Sequence, residues 1–140
     1  MVRRIAMREE VKNIRQRHVL VVDDNAELAQ TYQDLLEVFD YRVTKAADGE
    51  RALKFILENE VDAILCDLSM PQLDGNEFYE AALQARPETA GRFIFVTGHV
   101  NHPKYGPFIK KSGVRALYKP VSMDKLLAEL NAVVAGPPGP

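Results

Sequence analysis

Three carboxylates, a hydroxyl and an ammonium occupy equivalent places in this 140-residue chain, each at or just after the end of a short apolar run. Asp23 and Asp24 follow HVLVV, Asp67 follows VDAILC, Thr97 ends RFIFVT, and Lys119, with Pro120 behind it, follows RALY. Two neighbouring carboxylates at the end of a buried strand repel each other and must stay hydrated. Three gathered on one rim suffer raised pKa values unless something positive sits among them. A hard divalent cation resolves this, because Mg²⁺ takes oxygen ligands, keeps several waters, and is held by one or two carboxylates together with a phosphoryl oxygen. A central carboxylate such as Asp67 can then act as a nucleophile and carry a phosphoryl group as an aspartyl phosphate. Lys119 and the cation would neutralise the transferring group, and the Thr97 hydroxyl could bond one of its oxygens.

Convergence of these residues requires a particular scaffold. Five segments rich in β-branched and apolar residues read as strands: HVLVV (18–22), YRVTKA (41–46), VDAILC (61–66), RFIFVT (92–97) and RALY (115–118). Three are too uniformly apolar for a sheet with one wet face. Between them apolar residues recur at helical spacing: Leu28, Tyr32, Leu35, Leu36 and Phe39; Leu53, Ile56 and Leu57; Phe78, Ala81, Ala82 and Ala85; and Leu126, Leu127, Leu130, Val133 and Val134. The fourth helix slot, 98–113, contains Pro103, Gly106 and Pro107, which predicts a short helix over 107–112 with Pro107 near its first turn. Alternating strands and helices imply a doubly wound α/β fold with a five-stranded parallel sheet. Five strands suit the flavodoxin-like order 2-1-3-4-5, whose switch point lies between strands 1 and 3.

VLVVDDN, CDLSMPQLDG, FVTG and YKP, in this order and at these spacings, resemble the receiver domain of two-component response regulators, the CheY-like fold. The resemblance spans about residues 18–134. It implies that Asp67 is the phosphoacceptor, that Asp23 and Asp24 hold Mg²⁺ together with Asp67 and the backbone carbonyl of Ser69, that Thr97 is the switch hydroxyl, and that Lys119 pairs with the phosphoryl group. It further implies a cis bond between Lys119 and Pro120, with Met70, Pro71, Asp74 and Gly75 shaping the loop after the acceptor. The segment from ARPETAG to LYKPV is most similar to receivers at the C-terminal end of hybrid histidine kinases.

The implied function is that of a switch more than an enzyme. The phosphohistidine of a histidine kinase, or of its phosphotransfer domain, donates a phosphoryl group to Asp67, and the changed surface meets a downstream protein partner that the sequence does not name. Rival functions explain less. An adaptor working without phosphorylation leaves the Asp67, Thr97 and Lys119 set unused. A phosphatase with an aspartyl nucleophile wants a second acid two residues on, where Ser69 stands, and the acidic turn after strand 1 would repel a flavin phosphate. Taken singly, the residues have plainer uses: Asp24 or Asn25 could cap a helix, Cys66 reads as a small core residue, and His99 and His102 lack a third ligand. One departure stands out. Many receivers carry an aromatic residue three positions before the lysine, where this chain has Ala116, and Tyr118 is offset onto the other face.

Composition agrees with this picture. A hydrophobic share of 46% and a charged share of 27% are ordinary for a globular domain, and no apolar run reaches membrane-span length. The single cysteine excludes an intramolecular disulfide. With no secretory signal at the N-terminus, a cytoplasmic protein is expected. Residues 1–17 carry a charge of +4, so the rest carries −6 of the total −2. An acidic body disfavours nucleic acid as a direct partner, and the basic stretch, with Met7, Val11 and Ile14 at helical spacing, reads as a helical arm or linker. A receiver domain over 18–134 and a disordered Gly/Pro tail over 135–140 complete the expected organisation, with no DNA-binding domain after the last helix within these 140 residues.

Overall fold

The computed structural model describes residues 16–98 and 102–135. Most of the predicted basic arm, the Gly/Pro tail beyond Ala135, and His99 lie outside them. Five parallel strands, β1 (His18–Val22), β2 (Arg42–Ala46), β3 (Ala63–Asp67), β4 (Phe93–Thr97) and β5 (Arg115–Tyr118), form one sheet in the order β2-β1-β3-β4-β5. Five helices connect or follow them: α1 (Ala26–Val38), α2 (Gly49–Glu58), α3 (Gly75–Ala85), α4 (Tyr105–Ser112) and α5 (Met123–Ala135). The expected α/β class and strand order both hold.

Every residue of β1, β3 and β4 is buried, as continuous apolar runs require in a sheet covered on both sides. Strand periodicity splits these residues between two cores. Leu20, Val22, Ile64, Cys66, Phe93 and Phe95 face Ile56, Phe78, Tyr79 and Tyr105 on one side. Val19, Val21, Ala63, Leu65, Ile94 and Val96 face Leu36, Leu126 and Leu130 on the other. On the first side, edge-to-face aromatic pairs fix the layer, with Tyr79 meeting Phe93 at 4.9 Å and Phe108 at 5.5 Å between ring centres. The outer strands β2 and β5 are more exposed.

Boundaries shift where hydrogen bonding overrides hydropathy. β3 starts at Ala63 rather than Val61 and carries Asp67 within the strand, opposite Val96 of β4. A 3₁₀ turn over Pro87–Arg92, unanticipated from the sequence, precedes β4. α4 begins at Tyr105, two residues before the predicted start, because Pro107 sits in its first turn, where a missing N–H costs nothing.

Candidate functional site

The backbone sets each acidic residue on the rim. The Asp23 N–H donates to the Ala46 carbonyl at 3.1 Å, extending the β1–β2 ladder one residue beyond the strand. The Asp23 carboxylate accepts the Asn25 N–H at 2.9 Å. Of the two capping alternatives, Asn25 is the one that forms: its side chain accepts the Leu28 N–H at 3.1 Å and caps α1. Asp24 is left exposed at the mouth, whereas Asp23 is buried. Asp67, at the last position of β3 and 9% exposed, accepts the Ser69 N–H at 3.2 Å. Gly75 is required next to it, because a Cβ there would stand 2.5 Å from the Asp67 carbonyl oxygen and 2.8 Å from the Leu68 Cα.

These placements bring one carboxylate oxygen from each of Asp23, Asp24 and Asp67 within 4.8 Å of the others. Lys119 reaches the same rim from the far side, its Nζ 3.6 Å from Asp67 Oδ2. The Lys119 N–H donates to the Thr97 carbonyl at 2.9 Å, Thr97 is buried, and the Lys119–Pro120 bond is cis as expected. Asp23, Asp24, Asp67 and Lys119 therefore meet at the carboxyl ends of β1, β3 and β5, with Thr97 ending β4 on the same edge of the sheet and Ser69 two residues beyond Asp67.

Burial, with a smaller contribution from like charges, disfavours the ionised form of both buried acids on the rim. Burial pushes the Asp67 carboxyl up from its ordinary value. Lys119 opposes this, Asp23 and Asp24 add to it, and the Ser69 N–H partly offsets it. Asp23 is also raised, first by burial and then by Asp24, against the Asn25 N–H and Lys119. The effect spreads to Tyr32, whose hydroxyl is pushed up to about 12 by burial and by the Asp23 and Asp67 charges. Cys66 is wholly inside, and burial drives its thiol well above the usual range, in keeping with a core residue.

One polar cluster escaped the sequence reading. Asp74, expected only to shape a turn, caps α3 through a capping box with Glu77, a D-x-x-E signal visible in the sequence. Its other oxygen, Oδ2, accepts Lys104 Nζ at 2.6 Å and the Tyr105 hydroxyl at 3.4 Å. Nothing in the sequence marks Lys104, 30 residues away. His102 stacks on Tyr105 and accepts the Lys104 N–H on Nδ1 at 3.1 Å. Ala116 is partly buried in β5, and Tyr118 is 43% exposed.

Comparison with known proteins agrees with the geometry. The family model described as "Response regulator receiver domain" matches residues 19–131. A probable transcriptional regulator, ycf27, of Cyanidium caldarium is 36% identical over 64% of this chain and 34% of its own length. The CAI-1 autoinducer sensor kinase/phosphatase CqsS of Vibrio cholerae is 32% identical over 88% of this chain and 18% of its own. The chain thus spans about a third or less of these curated relatives. The receiver domain of the Francisella response regulator 1452 superposes with a TM-score of 0.73 at 30% identity, covering 86% of this chain and 98% of that one. With a family model matched over most of its length and this fold beneath it, the chain belongs to the response regulator receiver domain family.

Proposed function

We propose that Asp67 is the phosphoacceptor of a two-component phosphorelay and that Asp23, Asp24, Asp67 and the Ser69 carbonyl hold Mg²⁺. The observation that carries this is the approach of three carboxylates within 4.8 Å, with Lys119 Nζ 3.6 Å from the central one. Among the described residues the donor set is all oxygen, without histidine or cysteine, which fits a hard cation. When bound, Mg²⁺ supplies positive charge to the phosphoryl oxygens and relieves the repulsion among the carboxylates.

Asp67 presents a carboxylate oxygen to the phosphorus of a phosphohistidine. The P–N bond breaks as the new P–O bond forms, and the imidazole leaves with the electron pair. Lys119 neutralises the equatorial oxygens from one side, and the Thr97 hydroxyl bonds one of them after transfer. The donor is a histidine kinase or its phosphotransfer domain, and the product state displays a different surface to a downstream protein. Within this proposal the receiver unit is 18–134, flanked by a basic arm or linker (1–17) and a Gly/Pro tail (135–140), and the chain acts as a cytoplasmic switch that promotes its own phosphorylation and dephosphorylation. Among the described residues no helix is long and apolar enough to cross a membrane.

Incubation with acetyl phosphate, with and without Mg²⁺, followed by mass measurement of the whole chain tests the assignment. A single Mg²⁺-dependent phosphoryl adduct that disappears in Asp67→Asn is expected. No adduct in the wild type, or one that survives the substitution, overturns it.

A further inference from the structure

Asp74 is joined mechanically to Asp67. The loop that leaves Asp67 closes on itself through the Gly75 N–H, which donates to the Leu68 carbonyl at 2.9 Å. Gly75 also packs so tightly on the Asp67 backbone that a Cβ would not fit. Displacement at Asp67 is therefore carried to Asp74, since close-packed contacts transmit strain rather than absorb it.

On the far side of Asp74 stands α4. Its N-cap residue, Lys104, lies in the right-handed helical region and makes no side-chain cap. Tyr105 is the one buried residue of the helix. Besides the packing of Phe108 and Ile109 on the core, two polar groups at the start of the helix end on the same atom: Lys104 Nζ, 2.6 Å from Asp74 Oδ2, and the Tyr105 hydroxyl, 3.4 Å from it. Asp74 Oδ1 is taken by the Glu77 N–H at 3.2 Å, and the Asn76 amide also faces the carboxylate. Asp74 itself is 5% exposed, so the pair is largely withdrawn from solvent on the acid's side and is screened less by salt than a surface pair.

We propose that Asp74, Lys104 and Tyr105 form a clasp coupling the loop after Asp67 to the start of α4, with Lys104 and Tyr105 as positioning residues for the phosphoacceptor loop. The proposal rests on the assignment of Asp67 above. Occupancy of the acidic rim and the placement of α4 are then thermodynamically linked, and a partner that grips α4 alters affinity at the rim by the same factor as the rim alters affinity at α4.

Hydrogen exchange of the Tyr105–Ser112 amides in the full chain, with Mg²⁺ alone and with Mg²⁺ plus acetyl phosphate, separates the outcomes. In the wild type, exchange in α4 changes by at least about 5-fold on adding the donor, the lower end of typical coupling between sites. Lys104→Met keeps the length of the chain and removes the charge, and Tyr105→Phe keeps the buried ring and removes the hydroxyl. Both still form the adduct, but the donor-dependent change in α4 falls to less than half. A static brace would leave that change intact and raise exchange equally in both states, and this result overturns the clasp. A wild type that forms the adduct with no change in α4 overturns it too, while leaving Asp67 as acceptor. A wild type that forms no adduct removes the Asp67 assignment and the clasp together.

Discussion

Lys119 Nζ stands 3.6 Å from Asp67 Oδ2, beyond hydrogen-bond length, and Asp67 keeps a raised pKa despite it. Burial is the main cause, the Asp23 and Asp24 charges add to it, and one ammonium does not offset them together. The remaining imbalance is what a divalent cation would meet, and it leaves Lys119 available for a phosphoryl oxygen. Replacing Lys119 with Met should leave Mg²⁺ binding within a few-fold of wild type and slow phosphorylation by acetyl phosphate by about 10²-fold, the usual effect of one lost electrostatic group. Calorimetric Mg²⁺ titration and the time course of the mass adduct measure the two effects separately.

Asp23 is buried beside Asp67 with Asp24 adjoining it, so its charge costs stability when no cation is present. Asp23→Asn should weaken Mg²⁺ binding at least about 10-fold, in line with the loss of a ligand-shell group. Thermal melting in EDTA should meanwhile move up by about 2–4 °C for each kcal/mol of repulsion removed. A lower melting temperature in EDTA would mean that the Asp23 carboxylate is needed chiefly for its bond from the Asn25 N–H.

The raised values of Asp23 and Asp67 fix a direction for pH dependence. Between the unfolded carboxyl value and the raised folded one, the native state holds more protons than the unfolded state. The stability contributed by these groups is thus full at low pH and lost as pH rises through the folded values. In EDTA, unfolding by urea followed across pH 4–7 should show this component declining with pH. Mg²⁺ affinity should run the opposite way, because the ligands must be deprotonated, and should begin to fall at a higher pH than an ordinary exposed carboxylate would dictate.

Gly75→Ala forces a methyl group into the Asp67 carbonyl and the Leu68 backbone. Overpacking of this kind costs about 1–3 kcal/mol, measurable as a lower urea midpoint with an unchanged slope. The substitution should also reduce adduct formation, since the methyl group presses on the backbone of Asp67 and Leu68.

Cys66 is wholly buried behind Asp67, with its thiol held far above the usual range. Iodoacetamide at pH 8 should leave it unmodified in the folded protein and alkylate it within minutes in urea, because the thiolate is the reactive form. Rapid alkylation under native conditions would show that β3 opens locally.

The local sequence determines the strands, most helices and the position of each rim residue at a strand end. Hydropathy runs and their period register directly which face of the chain is buried, and strand ends in a parallel sheet must share one edge. Asp23, Asp24, Asp67, Thr97 and Lys119 were legible for that reason. What the tertiary structure alone decides is how neighbours in space divide their work. Asn25 rather than Asp24 takes the helix cap, which leaves both acids to the rim, and two adjacent aspartates end in different environments, one buried and one exposed. The bond from Lys104 to Asp74 belongs to the same class. A lysine in a loop and an aspartate in a turn each satisfy their local sequence by facing water. They meet because Tyr105, with Phe108 and Ile109, packs against the core and seats α4 beside the loop after Asp67, and no periodicity along the chain encodes a contact set by that packing.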